Sequence, residues 1–260
     1  MKKTVLILIS IMTLISSAVF AKEGLALTAE NTLGFQLPSD LGIDNVGVLS
    51  DVIKVSAEIN NKYTAEFSMP FNLITHSYIG NSEKESIFFF GTPQISIGLI
   101  LNREKQINHT FNLTYSIPVD VSEKVTEYVR KDGFHRIAVS YRMGFVSDPV
   151  AFYTGLKIES SIPYRENNIL NYDLPTIVLP LDFIFSINRV FSVKAGVQGK
   201  VDMPVLKNGE PEDSRILYVL SGDCELIVSV GKNYVRLGIS KDISTAFSTP
   251  MIYASLLVLK

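Results

Sequence analysis

The chain has 260 residues, a formal charge of −2 from 24 basic and 26 acidic side chains, and one cysteine, Cys224. That charge leaves no basic footprint for nucleic acid, and a lone cysteine excludes an intramolecular disulfide, a thiolate metal cluster and a lipoprotein attachment near the start of the mature chain.

The first residues are Met1-Lys2-Lys3, then an apolar stretch from Val5 to Ile15, then Ser16-Ser17-Ala18-Val19-Phe20-Ala21. A short basic segment, an apolar core and small residues at its end predict a bacterial secretory signal, residues 1–21, cleaved after Ala21. Residues 22–260 then form one exported domain. No later apolar run has helix length, which excludes an inner-membrane helical bundle.

From Leu25 onward the chain reads as alternating runs of period two. Leu25, Leu27, Ala29, Leu33, Phe35 and Leu37 oppose Thr28, Glu30, Thr32, Gly34 and Gln36, with Asn31 as the one misfit. After a loop at Pro38 to Val46 comes a run ending Ile53, Val55, Ala57, Ile59, and Asn60-Asn61-Lys62 turns it tightly into the clearest run, Tyr63 to Leu73. A long polar loop is expected over 74–91. Runs four and five, Pro93 to Leu101 and Thr110 to Ile117, are joined by a short turn, and a charged loop over 119–133 follows. Runs six and seven flank Asp148-Pro149; pairing Phe145 with Val150 there sets His135 opposite Ser160. Another loop spans 163–175. Runs eight and nine, Ile177 to Ile187 and Phe191 to Met203, meet at Asn188-Arg189, and Pro204 to Ser214 is a polar link. Run ten ends at Val230, run eleven holds Val235, Leu237 and Ile239, and a twelfth, Met251 to Leu259, has two mostly apolar faces.

Links between these runs alternate long and short, and the runs are about ten residues or more. Soluble strands average about 5–6 residues, whereas a tilted strand crossing a bilayer core needs about 9–11. An even count with short turns on one rim and long loops on the other predicts an all-β, up-and-down antiparallel transmembrane barrel of about 12 strands. Tyr63, Phe71, Phe145, Phe152 and Phe191 near the run ends suit interfacial girdles. Closure is required because an open sheet edge in hydrocarbon leaves backbone groups unsatisfied. Pro70 and Pro180, inside runs with no free edge, must then sit at bulges or rims.

If the apolar parity faces lipid, the other parity faces the interior. It carries the bases Lys54, Arg136, Arg142, Lys157, Lys194, Lys200 and Arg236 and the acids Glu30, Glu58, Glu66, Glu159, Asp182, Asp202, Asp223 and Glu225. Of these, Glu66, Arg136, Arg142, Lys157, Glu159, Asp182, Lys194, Lys200, Glu225 and Arg236 are the candidate pore-lining residues. Near balance rules out a ladder of arginines for acidic oligosaccharides. The groups either set up a transverse field that favours polar solutes or pair with one another across a filled interior.

The segment Gly144-Phe145-Val146-Ser147-Asp148-Pro149-Val150-Ala151-Phe152-Tyr153-Thr154-Gly155-Leu156 resembles the uncharacterised porin-like outer-membrane barrels grouped with a phenol-degradation pathway. The resemblance implies a twelve-stranded barrel that takes up small compounds, aromatic ones included. It supplies no binding residues. Many such barrels end on an aromatic residue read by the assembly machinery, and this chain ends Val258-Leu259-Lys260.

Three readings follow. The first is a porin-like transporter in the Gram-negative outer membrane, passive, without cofactor or metal, partnered by outer-membrane lipid, the assembly machinery and small solutes. The second is a structural or surface-recognition barrel acting through its long loops. The third is a phospholipase-like hydrolase using His135 and Ser160, for which no third residue or oxyanion donor stands out. His76 and His109 are isolated, and no spacing of His, Asp or Glu suggests a metal site. The balance favours a protein that is not an enzyme.

Overall fold

The computed structural model describes residues 25–40, 44–78, 84–102, 106–119, 135–166, 169–208, 210–211, 216–244 and 249–259; the expected signal segment and the 119–133 loop beyond Val119 lie outside them. Described strands are β1 (Leu25–Asp40), β2 (Asp44–Ile59), β3 (Tyr63–Tyr78), β4 (Lys84–Phe90), β5 (Gln94–Leu101), β6 (Ile107–Ser116), β7 (Arg136–Ser147), β8 (Val150–Ser161), β9 (Tyr164–Glu166), β10 (Ile169–Asp173), β11 (Thr176–Ser186), β12 (Phe191–Asp202), β13 (Val205–Lys207), β14 (Glu210–Pro211), β15 (Leu217–Val230), β16 (Asn233–Asp242) and β17 (Met251–Leu259).

Thirteen of them form one antiparallel sheet. It closes on itself where β1 pairs with β17, from Thr28 opposite Leu259 to Gln36 opposite Met251. Because β4 and β5 are successive pieces of one wall strand, both paired to β3, the barrel has twelve staves, as the alternation of runs predicts. Closure through β1 and β17 removes the long open edge that hydrocarbon would leave unsatisfied; among the described residues β4 pairs only with β3. Asn60 and Asn61, with φ of 51° and 57°, make the β2–β3 turn, since two successive left-handed residues match the twist of paired strands and Asn tolerates them.

The two awkward prolines sit where the ladder lapses. Ser68 faces Gln94, yet Phe71 faces Phe90, so the β4–β5 side carries one extra residue, a bulge at Gly91–Pro93 beside Pro70. The Gly91 N–H donates to the Pro70 carbonyl at 2.9 Å. Pro180 stays in register with Gln198 of β12. On its other side, pairing with β8 stops after Val178–Lys157 and resumes at Leu181–Thr154, and the Thr154 hydroxyl donates to the Pro180 carbonyl at 3.2 Å.

Several limits read from the sequence are corrected. The expected loop over 74–91 is largely hairpin, because β3 runs to Tyr78 and pairs with β4. The bulge swaps which parity is apolar, from Phe88 and Phe90 to Ile95 and Ile97, and this hides β4 from a period-two search. The Pro38–Val46 loop is likewise mostly strand. At Asp148-Pro149 the turn has only two residues, since Ser147 faces Val150; Phe145 therefore faces Phe152, and Ile137, not His135, lies opposite Ser160. Beyond the long-loop rim, 163–175 and 204–211 are joined, with β9, β10, β13 and β14 forming a separate four-stranded sheet. It extends the β11–β12 hairpin past Pro175 and Pro204, the breaks that let it leave the wall.

The apolar parity forms the exterior. Ile97 (58% exposed) and Val139 (57%), with Leu33, Phe67, Phe111, Leu179 and Phe183, point away from the sheet unburied. A water-soluble barrel buries this face. Here the large apolar side chains form a continuous outer belt, the surface a bilayer covers, and the chain is a membrane-spanning barrel of the outer-membrane kind.

Candidate functional site, the interior wall

Alternation sends the other parity inward, and all ten candidate residues make an ion pair there. On β2 and β3, Lys54 meets Glu66 at 2.8 Å. Toward the loop rim, Glu159 of β8 accepts from Lys157 at 2.7 Å and from Arg136 of β7 at 3.3 Å. On β12, Lys200 pairs with Asp202 at 2.6 Å, and Asp202 also accepts from the Thr176 hydroxyl at 2.9 Å.

The remaining candidates converge on one network. Lys194 Nζ lies 2.9 Å from Asp223 Oδ2, 2.9 Å from Glu225 Oε1 and 3.4 Å from Asp182 Oδ1. The sheet places them so: Lys194 is directly opposite Glu225, and Gly196 lies between Asp182 and Asp223 on adjacent strands. Glycine leaves room there, because a Cβ would push against the Asp223 carboxylate. Asp182 also takes Arg142 at 2.9 Å, and that guanidinium lies 4.4 Å from the Tyr153 ring centroid, a cation–π geometry. Arg236 spans to Glu30 at 3.3 Å, and Ser255 donates to the same carboxylate oxygen at 2.8 Å. Tyr253 hydrogen-bonds to Glu225, its ring lying over Gly238. The belt therefore runs from β7 round to β1, each charge held by at least one of opposite sign.

The wall of β5 and β6 is different. Gln94, Ser96, Thr110, Asn112, Thr114 and Ser116 face inward without a charge among the described residues. Thr114 donates to Ser96 at 3.0 Å, and Asn112 and Thr64 lean over Gly98 from its two sides. In the ring of twelve, β5 and β6 lie across from β15 and β16. A neutral hydrogen-bonding wall thus faces a paired ionic one.

Sequence reasoning missed Tyr153, Tyr253 and Ser255. The last run reads as apolar on both faces, so its inward Tyr253 and Ser255 do not stand out, although Gly238 and Gly34, opposite Tyr253 on either side, signal space for a large inward ring. The hydrolase geometry is absent. His135 lies opposite Ile162, and its Nδ1 is 2.5 Å from the Tyr115 hydroxyl with the rings stacked. Ser160 donates to the Ser161 carbonyl at 3.4 Å. No group of His, Cys, Asp and Glu fit to hold a metal occurs among the described residues.

Closed twelve-stranded wall, apolar exterior and polar interior define the class as a porin-like outer-membrane β-barrel. Comparison with solved structures agrees in fold: the chain is similar to the COG4313 outer membrane channel from Pseudomonas putida F1, with a TM-score of 0.68, 8% identity, and 92% of this chain and 97% of that one covered. It is also similar to the NanC porin, with a TM-score of 0.59 and 8% identity over 89% and 99% of the two chains. No family model and no curated protein matches the sequence.

Proposed function

We propose that the mature chain, residues 22–260, is an outer-membrane channel for passive passage of small solutes, and that the inward side chains described above line its pore. The observation that carries this reading is the division of the interior. Lys194 is held among three carboxylates on one side, and neutral hydroxyl and amide groups stand on the other. A wall whose charges are mutually compensated presents no ladder to bind an anion or a cation tightly, so selectivity by net charge is weak. What remains is a polar passage with alternating dipoles, suited to small neutral or zwitterionic organic molecules, with Tyr153 and Tyr253 offering ring faces to aromatic ones. No step of chemistry is assigned to it.

Swelling of proteoliposomes in a panel of solutes tests the proposal. Small neutral polyols and amino acids should enter at rates that fall with solute size, and multiply charged solutes of the same size should gain no advantage. Vesicles that admit none of the panel would remove the channel reading.

The ordered four-stranded sheet above the β11–β12 hairpin favours a second reading, in which that sheet recognises a partner at the cell surface. Deleting 205–211 should then abolish partner binding and leave solute flux intact.

A further inference from the structure

Asn31 is the residue that breaks the apolar parity of β1, and the structure gives it a companion. Asp51 falls on the same outward parity of β2, between Leu49 and Ile53 and directly opposite Leu33. The Asn31 amide donates to Asp51 Oδ1 at 2.8 Å. Both sit midway along the apolar stripes of their strands, facing away from the interior, where the strand exterior otherwise carries Leu, Ile, Val, Phe and Ala. Asp51 is 7% exposed and Leu33 beside it 46%, with Phe71 of β3 on its other side, so the pair lies at the floor of a low spot, with the small Ala29 and Ala254 next to Asn31 and Leu33.

A carboxyl group facing hydrocarbon at mid-depth is costly, and polar residues in such positions ordinarily face protein. One hydrogen bond does not satisfy this pair: the second amide N–H and the carbonyl oxygen of Asn31, and Oδ2 of Asp51, have no further partner among the described residues. What remains is a donor on one residue and acceptors on both, a set complementary to itself. A second copy turned about a twofold axis along the membrane normal brings Asn31 against Asp51 twice, the arrangement an isologous interface needs. A lipid tail supplies no donor or acceptor. We infer that the exterior of β1 and β2 is a self-association surface, and that the barrel is a dimer in the membrane with the Asn31–Asp51 pairs of two copies hydrogen-bonded at its centre.

This inference is independent of what passes through the barrel. Its test is cross-linking of the full-length protein in native-like bilayers at low protein-to-lipid ratio. Leu33→Cys should give a covalent dimer on mild oxidation. The native Cys224, on the exterior of β15, serves as the internal control and should give none. Adding the double change Asn31→Leu and Asp51→Leu to the Leu33→Cys chain should cut the cross-linked fraction at least tenfold, while heat-modifiable gel migration shows that the barrel still folds. Should the double variant fail to fold, light scattering of the native protein in nanodiscs decides: two barrels per particle supports the interface, and one barrel per particle overturns it. Cross-linking through Cys224 equal to that through Cys at 33, or undiminished dimer in the folded double variant, overturns it as well.

Discussion

Arg236 and Glu30 are 206 positions apart in the chain and meet at 3.3 Å inside the barrel. Their strands are not neighbours, because β17 lies between β16 and β1, and the Ser255 hydroxyl of β17 completes the bridge by donating to the same carboxylate oxygen. The contact therefore ties together the three strands at which the sheet closes.

Removing the arginine tests that tie. Arg236→Met leaves Glu30, a largely shielded carboxylate, with only a serine donor, and should lower stability by about 1–3 kcal/mol. Urea unfolding in detergent or lipid, followed by loss of heat-modifiable migration, reads it. Glu30→Gln in the same background should recover part of the loss, since the charge left behind is gone.

Lys194 sits among Asp182, Asp223 and Glu225, so its removal uncovers negative charge inside. Lys194→Met should move the reversal potential in a salt gradient toward that of a cation-preferring pore. Asp223→Asn, which removes an acid from the same cluster, should shift it the opposite way. Equal potentials in both variants would mean that the belt does not border the conduction path.

The two faces of one strand should answer differently to the same charge. Val139→Lys puts an ammonium into the apolar belt and should cost stability, by about 2–4 kcal/mol if its level is the bilayer midplane. Ser140→Lys, one residue on, points into the interior and should leave stability near the native value while altering conductance. Unfolding midpoints of the two variants in lipid make the comparison.

Gly238 lies beneath the Tyr253 ring, where a Cβ would collide with the phenol. Gly238→Val should push Tyr253 off Glu225 into the lumen and lower conductance. Adding Tyr253→Ala should restore it, which distinguishes a displaced ring from a damaged wall.

Most of the architecture was legible because a barrel in lipid repeats one simple rule, apolar out and polar in, along every stave. Parity alone groups the ten charged candidates on one face of the sheet, yet it does not say which of them pair. Lys194 and Glu225 are opposite only through the β12–β15 register, and register between strands joined by long links is not written in either strand. The rule failed where an extra residue at Gly91–Pro93 inverted it, concealing β4; at Asp148-Pro149 parity held and only the register differed, a two-residue turn moving the β7–β8 pairing two places from the expected one. Asn31 was visible as an exception. Its meaning depends on Asp51, which falls in the early part of the second run, where the sequence reading assigns no parity, and which only the β1–β2 register brings beside it.

The central claim is that this barrel holds a polar, conducting interior within an apolar shell. Single-channel recording of the refolded protein in a planar lipid bilayer tests it most directly. Discrete, reproducible current steps with weak selectivity between potassium and chloride are the predicted result. A protein that inserts with native heat-modifiable migration and stays electrically silent across the accessible voltage range would contradict it.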